Sequence, residues 1–160
     1  MSGAQVSRLL LPLLLICGSS LALTACQKPQ ISSGPWPWMP SGVELHGLSR
    51  FIVTEDEEVL SLRIEFLDPD GDPTKFPGEL DITVNPEPAL DSMKRRFTFD
   101  LSDLKVNERH WDRVTSTYRF KLDMTWEEPP LPNTLIRVQV KARSEGGPDF
   151  KAGITLRRGG

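Results

Sequence analysis

The stretch Leu60-Ser61-Leu62-Arg63-Ile64-Glu65-Phe66 places a large apolar side chain at every second position and a polar one between each pair. Successive side chains of a strand point to opposite faces, so this segment has one face to bury and one that water tolerates. The same period returns in Leu80-Asp81-Ile82-Thr83-Val84 and in Phe97-Thr98-Phe99-Asp100-Leu101. It returns again in Tyr118-Arg119-Phe120-Lys121-Leu122-Asp123-Met124, running on to Trp126. Ile136-Arg137-Val138-Gln139-Val140-Lys141-Ala142 and Phe150-Lys151-Ala152-Gly153-Ile154-Thr155-Leu156 complete the series. A first strand near Val43–Val53 brings the expected count to about seven. Sheets with one apolar face hide it only against each other. The expected fold class is therefore mainly β, an immunoglobulin-like antiparallel β-sandwich occupying residues 43–158.

One segment breaks the alternation. Ser102-Asp103 offers a helix cap, and Leu104, Asn107 and Trp111 then recur at helical spacing. A short helix or helical turn is expected within 102–112, bridging two strands and closing one end of the sandwich with Trp111. The connections carry turn chemistry: Asp68-Pro69-Asp70-Gly71, the proline-rich Glu127–Asn133, and Glu145-Gly146-Gly147-Pro148.

The amino-terminal part follows other rules. Met1–Arg8 is short and polar with one charged side chain, and Leu9–Leu23 is apolar but interrupted by Pro12 and Gly18-Ser19-Ser20. A spanning helix needs about 20 apolar residues, so this stretch reads as the hydrophobic part of a signal peptide covering residues 1–25. The residues that follow, Leu23-Thr24-Ala25-Cys26, resemble the lipobox of bacterial lipoproteins. That resemblance implies diacylglyceryl transfer to the Cys26 thiol, cleavage before it and acylation (palmitate among the chains) of the new amino terminus. Several acyl chains anchor a protein to a membrane stably. Gln27 in place of an aspartate favours, under the sorting rule known for many lipoproteins, the outer membrane.

Residues 26–42 form a tether. Gln27–Ser41 holds four prolines, three serines and a glycine, which exclude a regular helix or a central strand and leave an extended spacer. Trp36 and Trp38 stand out within it. Their rings either dock a partner or the lipid interface, or fold back over an apolar edge of the domain; the second is the expected role.

Composition narrows the function classes. The chain has 160 residues and a formal net charge of −3, and removing residues 1–25 takes away only Arg8, leaving the mature chain at −4. Such a balance gives no electrostatic footprint for a nucleic-acid partner. Both cysteines, Cys17 and Cys26, precede the sandwich, so the domain has neither a disulfide nor a thiol nucleophile.

Candidate chemistry within the domain is sparse. Asp68, Asp70 and Asp72 supply carboxylates in a turning loop and suggest calcium, but the glycine and distal glutamate of the EF-hand pattern are misplaced or missing. The same residues suit a tight turn. His46 and His110 lack partners at metal-ligand spacing and read as surface or packing side chains. Arg137, Lys141 and Arg143, with Lys151, Arg157 and Arg158, suggest a face for an anionic polymer or lipid headgroups; a solvated face paired with acids on adjoining strands is the expected reading.

Leu67-Asp68-Pro69-Asp70-Gly71-Asp72-Pro73-Thr74-Lys75-Phe76-Pro77-Gly78 and His110-Trp111-Asp112-Arg113-Val114-Thr115-Ser116-Thr117-Tyr118-Arg119-Phe120, together with the lipobox, resemble a group of uncharacterised bacterial envelope lipoproteins with a single β-domain. The resemblance implies location and fold, and no activity. The sequence thus leads to a membrane-anchored envelope lipoprotein, non-enzymatic and without a cofactor, serving as a structural or binding module. Its partners would be membrane lipid through Cys26 and an envelope protein or polysaccharide. The alternative is a calcium-dependent adhesion or carbohydrate-binding module using the Asp68–Asp72 loop.

Overall fold

A computed structural model describes residues 39–159, apart from 56, 89 and 90. The leader and most of the tether lie outside it.

The described residues form ten strands, in two antiparallel sheets, and one α-helix. The first sheet has β3 (Glu58–Leu67) at its centre, with β1 (Gly42–Leu45) and β2 (Arg50–Val53) sharing one edge of it. On the other side of β3 lie β8 (Thr117–Asp123) and the two-residue β4 (Pro73–Thr74), and β7 (Trp111–Asp112) pairs with β8. The second sheet runs β10 (Phe150–Arg157), β9 (Leu135–Arg143), β5 (Glu79–Glu87), β6 (Arg95–Asp100). The chain crosses between sheets from β3 to β5, returns from β6 to β8 through α1 (Leu104–His110), and crosses again from β8 to β9. This is an immunoglobulin-like sandwich.

The strands predicted from alternation are present, and the surplus has a simple origin. The first strand is broken at residues 46–49: the Ser49 amide donates to the His46 carbonyl at 2.9 Å, and the Ser49 hydroxyl takes the Arg63 amide at 3.0 Å. Two four-residue strands replace one long one. β4 and β7 are short pairings that no pattern of two residues could announce.

Every apolar position of the opening stretch is interior. Leu60, Leu62, Ile64 and Phe66 on β3, Leu80, Ile82 and Val84 on β5, and Ile136, Val138, Val140 and Ala142 on β9 all face the space between the sheets. Burying each large aliphatic side chain contributes roughly 1.5–3 kcal/mol, so these facing rows dominate the stabilisation. At the end where β3 finishes, Phe66 stacks on Phe76 at 4.4 Å, and Tyr118 and Phe150 meet Phe66 edge-on. Gly78 is required there, because a Cβ would collide with the Arg143 carbonyl and the Phe76 ring.

The helix forms as expected, capped by Asp103, whose carboxylate accepts the Lys105 amide. Its inward face differs from the spacing argument. Leu104 is exposed, whereas Asn107 is 1% exposed and Trp111 is half-buried against the core. Asn107 goes inside because the interior there is made of carbonyls: its Nδ2 donates to Phe76 O at 3.0 Å and Leu101 O at 2.7 Å. Tyr118 completes the network, donating to Asn107 Oδ1 and accepting the Phe76 amide, both at 2.9 Å.

The opposite end is closed by a paired charge. Arg158, just beyond β10, reaches Glu58 at the start of β3 through two contacts of 2.6 and 2.8 Å and also donates to Pro130 O. It ties the last residues of the second sheet to the first.

Candidate functional site

A cleft of about 490 Å³ opens between the sheets at the Glu58–Arg158 end, lined by Ser92, Met93, Arg95, Trp126, Glu127 and Glu128. Its floor is built by the two segments that leave the strands there. β8 ends at Asp123, whose carboxylate accepts the Thr125 amide and hydroxyl and bends the chain so that Trp126 turns inward. The Trp126 ring lies against Phe51 at 6.4 Å, and its indole N–H donates to Met93 O at 2.8 Å. Met93 belongs to a single 3-10 turn, Asp91–Met93, leading into β6. Arg95 donates to Thr125 O at 3.2 Å, giving a second bond between the same two segments. Two reciprocal hydrogen bonds therefore hold the walls in place.

The charge in this cleft is out of pattern. Arg95 pairs directly with Val84, a fully buried core residue, and Phe97 pairs with Ile82. Directly opposed residues share a face, so Arg95 occupies a core-facing position of β6. Glu127 and Glu128 are exposed on the facing wall. Among the described residues none of these three charges belongs to an ion pair. A guanidinium, two carboxylates, an indole and a thioether thus line one cavity, a concave and mainly polar surface on which charges of both signs converge. Sequence reading passed over it. Arg95 lies outside the alternating run that starts at Phe97, and Glu127-Glu128 read only as part of a proline-rich loop. The one available signal was Arg95 itself, two positions before Phe97 and on the same parity.

The residues singled out by sequence are not gathered here. Cys26, Trp36 and Trp38 lie outside the described residues. Asp68 is buried and serves the turn: its Oδ1 accepts the Asp70 and Asp72 amides at 2.9 Å each, and the Gly71 amide donates to Asp68 O. Gly71 has φ of +87°, which suits glycine. Asp70 and Asp72 point to solvent, and among the described residues no three acidic, histidine or cysteine side chains group to hold a metal. Millimolar calcium is accordingly expected to leave the melting temperature of the purified protein unchanged. A rise of several degrees would place a cation on this turn, since binding to the folded state alone must stabilise it.

The histidines pack or cap. His110 stacks on Phe120 at 4.5 Å and meets Phe99 at 5.1 Å, while His46 Nδ1 accepts the Leu48 amide. The basic late strands are largely partnered. Arg143 bridges Glu79 and Asp81 on β5 at 2.7 and 2.8 Å, Arg137 meets Glu87 at 2.5 Å, and Arg158 turns in to Glu58. Lys141 and Lys151 stand side by side as a cross-strand pair. On the outer face of the first sheet, Arg63 donates to Asp112 at 2.9 Å and to Thr115 at 2.7 Å, and this guanidinium holds the Asp112 carboxyl below the usual carboxylate range. These contacts brace strands.

No protein-family model matches the chain, and no curated protein matches it.

Proposed function

We propose that this chain is a lipid-anchored protein of the bacterial envelope, held most naturally in the outer membrane, whose β-sandwich is a non-enzymatic module that presents a binding cleft away from the anchor. The supporting observation is a polarity of the domain. The chain joins the sandwich beside Leu67, where the Ser41 amide donates to Leu67 O and Gly42 pairs with Leu67. The cleft lies at the other end of β3, beyond the pairing of Val59 with Asp123. A strand of ten residues separates the two ends, roughly 33 Å at strand rise. Residues 27–38 stand between Cys26 and the described domain, a reach of roughly 45 Å at most when extended. An anchor at Cys26 therefore leaves the cleft end as the part of the molecule a partner meets first.

Metabolic labelling with an alkyne palmitate in a bacterial host, followed by membrane fractionation, tests the anchor. The wild-type chain is expected to carry label and to sediment with outer membranes, whereas Cys26→Ala loses the label and the membrane association. Unlabelled wild-type protein, or a Cys26→Ala variant that stays equally bound to membranes, overturns the reading.

A further inference from the structure

We infer that the cleft between β6 and the segment after β8 binds a short peptide by its two charged ends, with the peptide carboxylate on Arg95 and its ammonium group on Glu127 and Glu128. This inference deepens the binding-module reading by naming the ligand class; the anchor is tested separately, at Cys26.

The Arg95 side chain leaves the core-facing side of β6, opposite the fully buried Val84, half-buried at the mouth of the cleft, and no carboxylate pairs with it among the described residues. One of its N–H groups is taken by Thr125 O, leaving the other donors of a planar fork that matches a carboxylate in bidentate fashion. The half-buried setting favours that interaction, because charge pairs strengthen as water is excluded. Across the same cavity Glu127 and Glu128 offer acceptors for an ammonium group, and neither is held by a cation among the described residues. The same cavity is lined by Met93 and by Trp126, which is 7% exposed, and these supply apolar surface for the ligand body. A single anion would leave the glutamates unanswered and repelled, and a single cation would do the same to Arg95. A zwitterion satisfies both. The volume of about 490 Å³ falls in the range of small-ligand pockets, which sets the ligand at a few residues. The floor is preorganised by the bonds from Trp126 to Met93 and from Arg95 to Thr125, so little ordering opposes binding.

The test uses the purified, ¹⁵N-labelled full chain in detergent micelles, titrated with trialanine, N-acetyl-trialanine and trialanine amide. The Trp126 indole N–H resonance, identified by its loss in Trp126→Phe, is the reporter beside the cleft. Trialanine is expected to shift it, and each blocked peptide to bind about tenfold more weakly, the loss of one charge-assisted contact. Arg95→Gln should abolish the discrimination between trialanine and its amide. The double variant Glu127→Gln, Glu128→Gln should abolish the discrimination between trialanine and its acetylated form. Equal binding of all three peptides, or no shift up to ~10 mM peptide, overturns the proposal. In that case the inward Arg95 serves only to keep the β6 edge from pairing with another chain, and Arg95→Gln would promote self-association.

Discussion

Asn107→Ala is expected to lower the stability of the folded domain by about 3 kcal/mol, against at most about 0.5 kcal/mol for Leu104→Ala three residues earlier on the same helix. The asparagine is 1% exposed and bonds three groups of three different segments: the Phe76 and Leu101 carbonyls and the Tyr118 hydroxyl. Truncation leaves those groups in a water-poor interior, and each unsatisfied buried polar group costs about 1–3 kcal/mol. A water molecule entering the space would recover part of this, which is why the sum is set near the lower bound. Leu104 is 36% exposed and shields little apolar surface. Thermal or urea unfolding of the two variants checks the contrast; for a domain of this size the loss corresponds to roughly 10 °C in Tm. Equal effects of the two substitutions would show that the helix is held by its apolar side and not by the buried amide.

Tyr118 provides the second large effect, in alkaline solution. Its hydroxyl is fully buried among Phe76, Asn107 and the aromatic cluster, and burial pushes its pKa up to about 12 from an ordinary 10.0. The unfolded chain ionises first, so the contribution is complete below pH 10 and is lost as pH rises towards 12. Each unit of difference is worth about 1.4 kcal/mol, and the whole shift about 3 kcal/mol of stability lost across that window. The measurement is unusually clean because Tyr118 is the only tyrosine in the chain. Near-ultraviolet tyrosinate absorbance should stay low until the domain unfolds, and the two transitions should coincide. Tyrosinate appearing near pH 10 in a domain that remains folded would contradict the buried hydrogen-bonded arrangement. Tyr118→Phe removes the signal and flattens this part of the pH dependence, at a loss of about 1–2 kcal/mol at neutral pH.

Both effects arise from one polar network that the sequence did not announce, and the reason is physical. Alternation of side chains along a strand is a local property: period two follows from the pleat, and a buried face requires apolar residues at every second position. Leu60 to Phe66, Leu80 to Val84, Tyr118 to Leu122 and Ile136 to Ala142 could therefore be assigned to strands and to the core without knowing their neighbours. The turn at Asp68–Gly71 was legible for the same reason, since its carboxylate bonds amides two and four residues on. The helical spacing of Leu104, Asn107 and Trp111 gave the element but misjudged which members go inside, because the choice between a leucine and an asparagine depends on what the rest of the chain brings opposite.

The cleft is the clearest case of information held only in the tertiary structure. Arg95 and Glu127 are about thirty positions apart, and the positions meet only because β6 and β8 belong to different sheets that end at the same level. Arg95 is noteworthy only once its register against Val84 is known. In the same way the pairing of Arg143 with Glu79 and Asp81, and of Arg137 with Glu87, follows from β9 lying beside β5. What the amino-acid sequence determined alone was the long alternating strand segments, the turn chemistry and the sandwich, all of them short-range patterns. What the tertiary structure decided was which polar groups the sandwich hides, which charges it pairs and which it leaves facing a cavity, because burial and charge pairing are set by residues distant in the chain and adjacent only after the sheets have packed.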